Sequence, residues 1–164
     1  MNMTTQKNLK HIVLAIGCLF IFNGLFAQKV SVYKIDKLLK RIHNTSDTIY
    51  VVNFWATWCK PCVAELPEFE KLNETYKDKK VKVILVSMDF KEDKTKKLIP
   101  FLQKHNYTSE VILLDEVNGN TFINKVSKEW TGAIPATLIV SDSKTLNNFY
   151  EKKVTYEFLE EHIK

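Results

Sequence analysis

The run Thr48 to Trp55, TIYVVNFW, constrains the fold more than any other part of the chain. β-Branched and aromatic side chains dominate it and leave no polar face, the pattern of a strand buried on both sides. Such a strand needs helices above and below it, so the chain reads as α/β. It runs through Ala56-Thr57-Trp58 directly into Cys59-Lys60-Pro61-Cys62. Beyond Cys59, Val63, Leu66, Phe69, Leu72 and Tyr76 recur every three or four residues and predict a long helix to about Lys77.

A C-x-x-C pair serves as a redox couple, as half of a zinc site or as a structural bridge. Zinc needs two further thiolate or imidazole ligands, usually as a second close pair. The remaining cysteine, Cys18, lies in an apolar N-terminal segment, and His11, His43, His105 and His162 are scattered singly, so no metal is expected. A bridge across so short a loop removes little chain entropy and gains little as a structural device. Redox chemistry is the favoured use.

A helix starting at Cys59 would place its unpaired N–H groups and positive dipole end beside that sulfur and favour the thiolate. Cys59 is therefore the expected nucleophile. Cys62, one turn on, is placed to attack a mixed disulfide and release the reduced partner. Lys60 adds a nearby positive charge, and Pro61 suits a first helical turn, where no N–H is needed.

Four features together resemble the thioredoxin superfamily, in its extracytoplasmic TlpA/ResA-like branch: Phe54-Trp55-Ala56-Thr57-Trp58-Cys59-Lys60-Pro61-Cys62, then Glu65, Pro67 and, far downstream, Ile134-Pro135-Ala136-Thr137. The resemblance covers about residues 30 to 164. It implies a thioredoxin-like fold: a central mixed sheet with helices on both faces and an inserted strand-helix unit before a cis proline, Pro135. It also implies that Glu65 handles the protons of the cysteines, a duty that plain thioredoxins give to an aspartate on the preceding strand, where this chain has Asn53. Ile134 would offer its backbone to an extended partner segment by strand addition. Trp58, Lys60 and Pro61 complete the expected docking surface; Trp55 should lie in the core or beneath the site, and Trp130 could join the lip around Trp58.

Lys7 and Lys10 precede an apolar stretch from His11 to Phe22, and the segment ends on Ala27. This predicts a signal peptide over 1–27, with an uncleaved membrane anchor as the alternative, ahead of a thioredoxin-like domain over 28–164. Lipidation at Cys18 is disfavoured, since Ala15-Ile16-Gly17-Cys18 only loosely resembles a lipobox. Export would leave Cys59 and Cys62 as the mature chain's cysteines, both used by the active motif. Localisation is then periplasmic, free or anchored on the periplasmic face of the inner membrane.

The remaining elements follow from periodicity and breakers. Helices are predicted over Tyr33 to His43, Asp89 to His105 with Pro100 kinking or dividing it, and Asn120 to Lys128, with a last helix capped by Thr155. Pro67 should kink the long helix. Strands are predicted over Val81 to Met88 and Glu110 to Leu114, and a hairpin pairs Ala136 to Val140 with Asn147 to Lys153. The strand at 110–114 and helix at 120–128 are the inserted unit in the resemblance.

With 24 Lys and Arg against 19 Asp and Glu, the net charge of +5 is mild, and the lysines are dispersed, so nucleic acid is not an expected partner. The four glycines are isolated and form no phosphate loop, so no cofactor is expected beyond the redox-active Cys59–Cys62 disulfide. The reading is an exported, monomeric thiol:disulfide oxidoreductase acting on protein disulfides. By family likeness it reduces them, with apocytochrome c as a client class and a membrane thiol–disulfide donor as the electron source. The membrane itself would be met through the N-terminal segment alone, if that stays uncleaved. A disulfide-forming oxidant, a thiol peroxidase and a copper-binding thioredoxin-like chaperone are the alternatives.

Overall fold

The computed structural model describes residues 29–116 and 118–164. The leader, its cleavage point and Cys18 lie outside the described residues. Among the described residues no helix is long and apolar enough to cross a membrane.

Six strands form one sheet: β1 Ser31–Tyr33, β2 Ile49–Trp55, β3 Val81–Ser87, β4 Glu110–Leu114, β5 Ala136–Ser141 and β6 Leu146–Tyr150. Among the described residues five α-helices accompany them: α1 Ile35–Ile42, α2 Lys60–Thr75, α3 Ile99–His105, α4 Gly119–Val126 and α5 Tyr156–Glu161. The strand order is β1-β4-β3-β2-β5-β6. β2 pairs in parallel with β3 along its whole length and antiparallel with β5. β4 joins β3 and β1 in parallel, and β5–β6 is an antiparallel hairpin. The sheet is mixed and the fold is the thioredoxin-like α/β fold expected. β4 and α4, the predicted insertion, precede Pro135, and β4 enters between β1 and β3 rather than at an edge.

Alternation along β2 explains both layers. Val51 and Trp55 face Leu66, Phe69 and Leu72 of α2, with Leu102 of α3 and Leu159 of α5 in the same cluster. Val52 and Phe54 face the other way, toward Leu38 and Ile42 of α1 and Phe122 and Val126 of α4. Asn53 shares the period of Val51 and Trp55, so it points to the α2 side, and it is fully buried. A polar group in that position needs a partner, and the partner is at the active site.

Several boundaries differ from the sequence reading. Tyr33 belongs to a three-residue edge strand, too short to show alternation, and Lys34 rather than Tyr33 precedes α1. The segment predicted as a helix from Asp89 is a 3₁₀ turn at Lys91–Asp93, a π turn at Lys94–Leu98 and then α3. Asp89 is drawn out of the helix by its own hydrogen bonds, described below. The wide turn comes just before Pro100, whose nitrogen has no hydrogen to close a normal α turn. β6 ends at Tyr150 because Glu151 turns away to bind another loop. α2 runs through Pro67 as one helix.

Candidate active site

β2 ends at Trp55, and a tight turn delivers Cys59 to the N-terminus of α2. The turn is tied down three ways. Cys59 N–H donates to the Ala56 carbonyl at 3.1 Å, and Met88 N–H donates to the Trp55 carbonyl at 2.7 Å. Asp89, only 2% exposed, accepts from Thr57 N–H at 3.1 Å, from the Thr57 hydroxyl at 2.6 Å and from the Ser87 hydroxyl at 2.7 Å. Asp89 was not singled out by the sequence reading. The available signal was a carboxylate two residues beyond Ser87, which is the register partner of Trp55.

Cys59 and Cys62 are joined by a disulfide. Cys59 is the N-cap of α2, and Cys62 N–H donates to Cys59 Sγ at 3.3 Å. That donor and the helix terminus would stabilise a thiolate at Cys59 after reduction. Cys59 is 6% exposed and Cys62 is fully buried, so an incoming disulfide meets Cys59 first. Lys60 and Pro61 are exposed beside it, and Trp58 is 63% exposed.

Ile134-Pro135 is a cis peptide, as the resemblance implied. The Ile134 carbonyl oxygen lies 3.8 Å from Cys59 Sγ, so residues 75 positions apart form one surface. Phe90, next to Asp89, is 71% exposed. Because Thr57 and Asp89 are bonded, their neighbours Trp58 and Phe90 sit on two linked loops. Phe90 was missed; a lone aromatic in a charged stretch gives no periodic signal.

Glu65, three residues after Cys62 on α2, is fully buried. Asn53 Nδ2 donates to its Oε1 at 2.8 Å, and Val154 N–H donates to its Oε2 at 2.9 Å. Burial pushes the Glu65 carboxyl up to about 7, against the pull of those two donors and of the Lys153 charge. A carboxyl poised there can take or give a proton at neutral pH. The structure thus brings Cys59, Cys62 and the Ile134-Pro135 turn together, with Glu65 fully buried three residues beyond Cys62 on α2. Asn53 and Val154 are the unanticipated supports of Glu65.

Trp55 is fully buried in the core, as expected. Trp130 does not join the lip. It is 3% exposed and packs against Phe54 at 4.7 Å, with Phe122 and Phe149 each at 5.8 Å, because its position falls on the α4 side of the sheet. His105 stacks near Phe101 and Tyr107. Among the described residues no group of three His, Cys, Asp or Glu side chains is placed to hold a metal.

The AhpC/TSA family profile matches residues 29–149. The chain belongs to the AhpC/TSA family. Thioredoxin-like protein YneN of Bacillus subtilis is 31% identical over 113 residues, covering 69% of this chain and 62% of YneN. Thiol-disulfide oxidoreductase ResA of Geobacillus kaustophilus is 24% identical over 156 residues, 87% of this chain and 83% of that protein. The crystal structure of StoA from Bacillus subtilis superposes with a TM-score of 0.58 at 20% identity, over 75% of this chain and 87% of StoA, which shows the shared fold. The chain is a TlpA/ResA-like member of the thioredoxin superfamily.

Proposed function

We propose that this AhpC/TSA-family chain is a thiol:disulfide oxidoreductase that reduces disulfides of exported proteins. The observation that carries the reading is the disulfide at the N-terminus of α2, with Cys59 the more exposed sulfur, at 6%, and Cys62 fully buried behind it. In the reduced protein, Cys59 thiolate attacks one sulfur of a client disulfide and the other client sulfur leaves as thiolate. Cys62, deprotonated by Glu65, then attacks Cys59 Sγ in the mixed disulfide, and the second client sulfur leaves. Two electrons have passed to the client, and the protein holds the Cys59–Cys62 disulfide. Glu65 returns its proton through the departing thiol. Trp58, Lys60, Pro61 and Ile134-Pro135 receive the client, with Phe90 as a further apolar contact.

The lysine-led apolar leader at 7–27 supports export to the periplasm. There a membrane thiol–disulfide donor would return the electrons, and apocytochrome c, whose haem-attachment cysteines must be reduced, is the client class proposed. Direction is tested by equilibrating the Cys59–Cys62 pair with glutathione and dithiothreitol buffers. A potential near about −270 mV supports the reductant, and one near about −120 mV would make the protein a disulfide-forming oxidant. A Cys62→Ser variant should trap a mixed disulfide with a client through Cys59. Turnover of peroxide without any disulfide substrate would replace this reading with a thiol peroxidase, and copper retained through gel filtration would favour a copper chaperone.

A further inference from the structure

The loop ahead of Pro135 is held from two sides by groups with no part in the cysteine chemistry. Glu151, the first residue beyond β6, accepts from Thr131 N–H at 3.1 Å, from the Thr131 hydroxyl at 2.5 Å and from Ala133 N–H at 2.8 Å. The Ala133 carbonyl accepts from Trp130 Nε1 at 2.8 Å, and Trp130 is itself wedged between α4 and the sheet. Both polar groups of Ala133 are therefore occupied, one by a carboxylate on the hairpin and one by a buried indole. The Thr131 hydroxyl first, and then the two backbone donors, hold the Glu151 carboxyl below its usual range, so it stays ionised at neutral pH. Between them, Gly132 takes φ +97°, and a Cβ there would meet Ile123 Cδ1 at 2.9 Å, so the chain has one narrow route to Ile134.

An exposed loop left to itself must be ordered when a partner strand binds, and that ordering weakens binding. Here the ordering is done in advance. We propose that Glu151 is a positioning residue that fixes the 131–133 loop so that Ile134 is already set to receive an extended segment of the disulfide substrate. The proposal rests on the docking role given to Ile134 above and extends it to a residue outside the cysteine motif. It also gives a use to a residue that the sequence places only within the second strand of the hairpin, Asn147 to Lys153.

The test uses the full chain, recycled by dithiothreitol, with a short peptide disulfide and the same peptide carrying an N-methylated amide beside its cysteine. Wild type should show a higher KM for the methylated peptide, since one backbone bond to Ile134 is lost. Glu151→Gln removes the charge, and its side-chain N–H₂ faces donors it cannot satisfy. It should raise KM for the plain peptide about tenfold with kcat held, change KM for the methylated peptide far less, and leave the pair's reduction potential where it was. Thr131→Val, which deletes the hydroxyl donor alone, should move KM in the same direction by a smaller factor and serves as the readout if Glu151→Gln does not fold. Wild-type KM for the plain peptide in both variants overturns the proposal while the N-methyl effect keeps the docking role. An equal loss on both peptides, with a fall in melting temperature, reduces Glu151 to a structural support and also overturns it. No N-methyl effect in wild type would remove the docking role first, and the proposal with it.

Discussion

Replacing Glu65 with Gln should change how stability depends on pH. In the folded protein the Glu65 carboxyl is pushed up to about 7 from an ordinary value of 4.5. Between those values the native state keeps a proton that the unfolded chain releases, so this group's contribution is full below about pH 4.5 and is lost as pH rises toward 7. At about 1.4 kcal/mol per unit, the loss amounts to roughly 3 kcal/mol across that window. Gln at this position cannot titrate, and it can still be accommodated. Its Oε1 keeps the Val154 N–H, and its N–H₂ can donate to Asn53 Oδ1, which in the wild type is buried without a hydrogen-bond partner among the described residues, once that amide turns over. Urea unfolding of the oxidised wild type and of Glu65→Gln, taken in steps from about pH 4 to 9, isolates the effect as a difference curve. Wild type should lose stability relative to the variant as pH rises through the window and level off above it. A flat difference would refute the claim that burial holds the proton on Glu65, and with it the physical basis for its role as proton carrier.

The other expectations concern the surface and the supports. Lys60→Glu should make the pair more reducing, on the order of 10–40 mV, by replacing a charge that favours the Cys59 thiolate with one that opposes it; an unchanged potential removes Lys60 from the redox tuning. Gly132→Ala should lower the unfolding free energy by about 1–3 kcal/mol, read by urea titration, since alanine must adopt φ +97° against Ile123. Phe90→Ser should cut kcat/KM for a protein disulfide roughly fivefold while a small disulfide such as hydroxyethyl disulfide is reduced at the wild-type rate; equal effects on both would place Phe90 outside the client surface. Asn53→Asp should set two carboxyls at the 2.8 Å contact now made by an amide, so that one stays protonated well above neutrality and the pH optimum for activity moves up.

The sequence carried the parts of this fold that depend on continuous local pattern. The apolar run at 48–55, the helical spacing from Val63 to Tyr76 and the hairpin after Pro135 each appear within a few residues of where they were expected, because a strand buried on both faces and an amphipathic helix write their burial directly into residue order. The active cysteines were legible for the same reason: Cys59 and Cys62 are one helical turn apart. What escaped were groups whose meaning depends on a distant partner. Asp89 reads as a helix start until Thr57 is known to lie against it. Glu151 reads as part of a hairpin strand until the 131–133 loop is known to bind it. Trp130 is compatible with the lip or with an ordinary core place until α4 and β6 close around it. In each case the local residue type is compatible with several positions, and sequence separation hides the one that is used.

The surroundings of Asn53 and Glu65 explain why a buried carboxyl is better served on the helix here and an amide on the strand. Asn53 lies in the middle of β2, fully buried, with the Ala136 carbonyl at 3.4 Å and the Thr137 hydroxyl at 3.3 Å as its other neighbours. A carboxylate at 53 would face a carbonyl oxygen and have at most one hydroxyl donor, so its ionised form would be poorly served there. At 65 the same group meets two N–H donors from segments far apart in sequence, one from β2 and one from the chain leading into α5. Those donors offset part of the cost of burial, so the carboxyl is drawn back from a permanently protonated state to one that titrates near neutrality. A group that ionises in that range can take up a proton and surrender it again within one cycle, which is the role proposed above for Glu65 toward Cys62. In the proton-carrying role proposed for Glu65, Val154 matters as much as α2, because its N–H is one of the two donors that draw the buried carboxyl back toward neutrality.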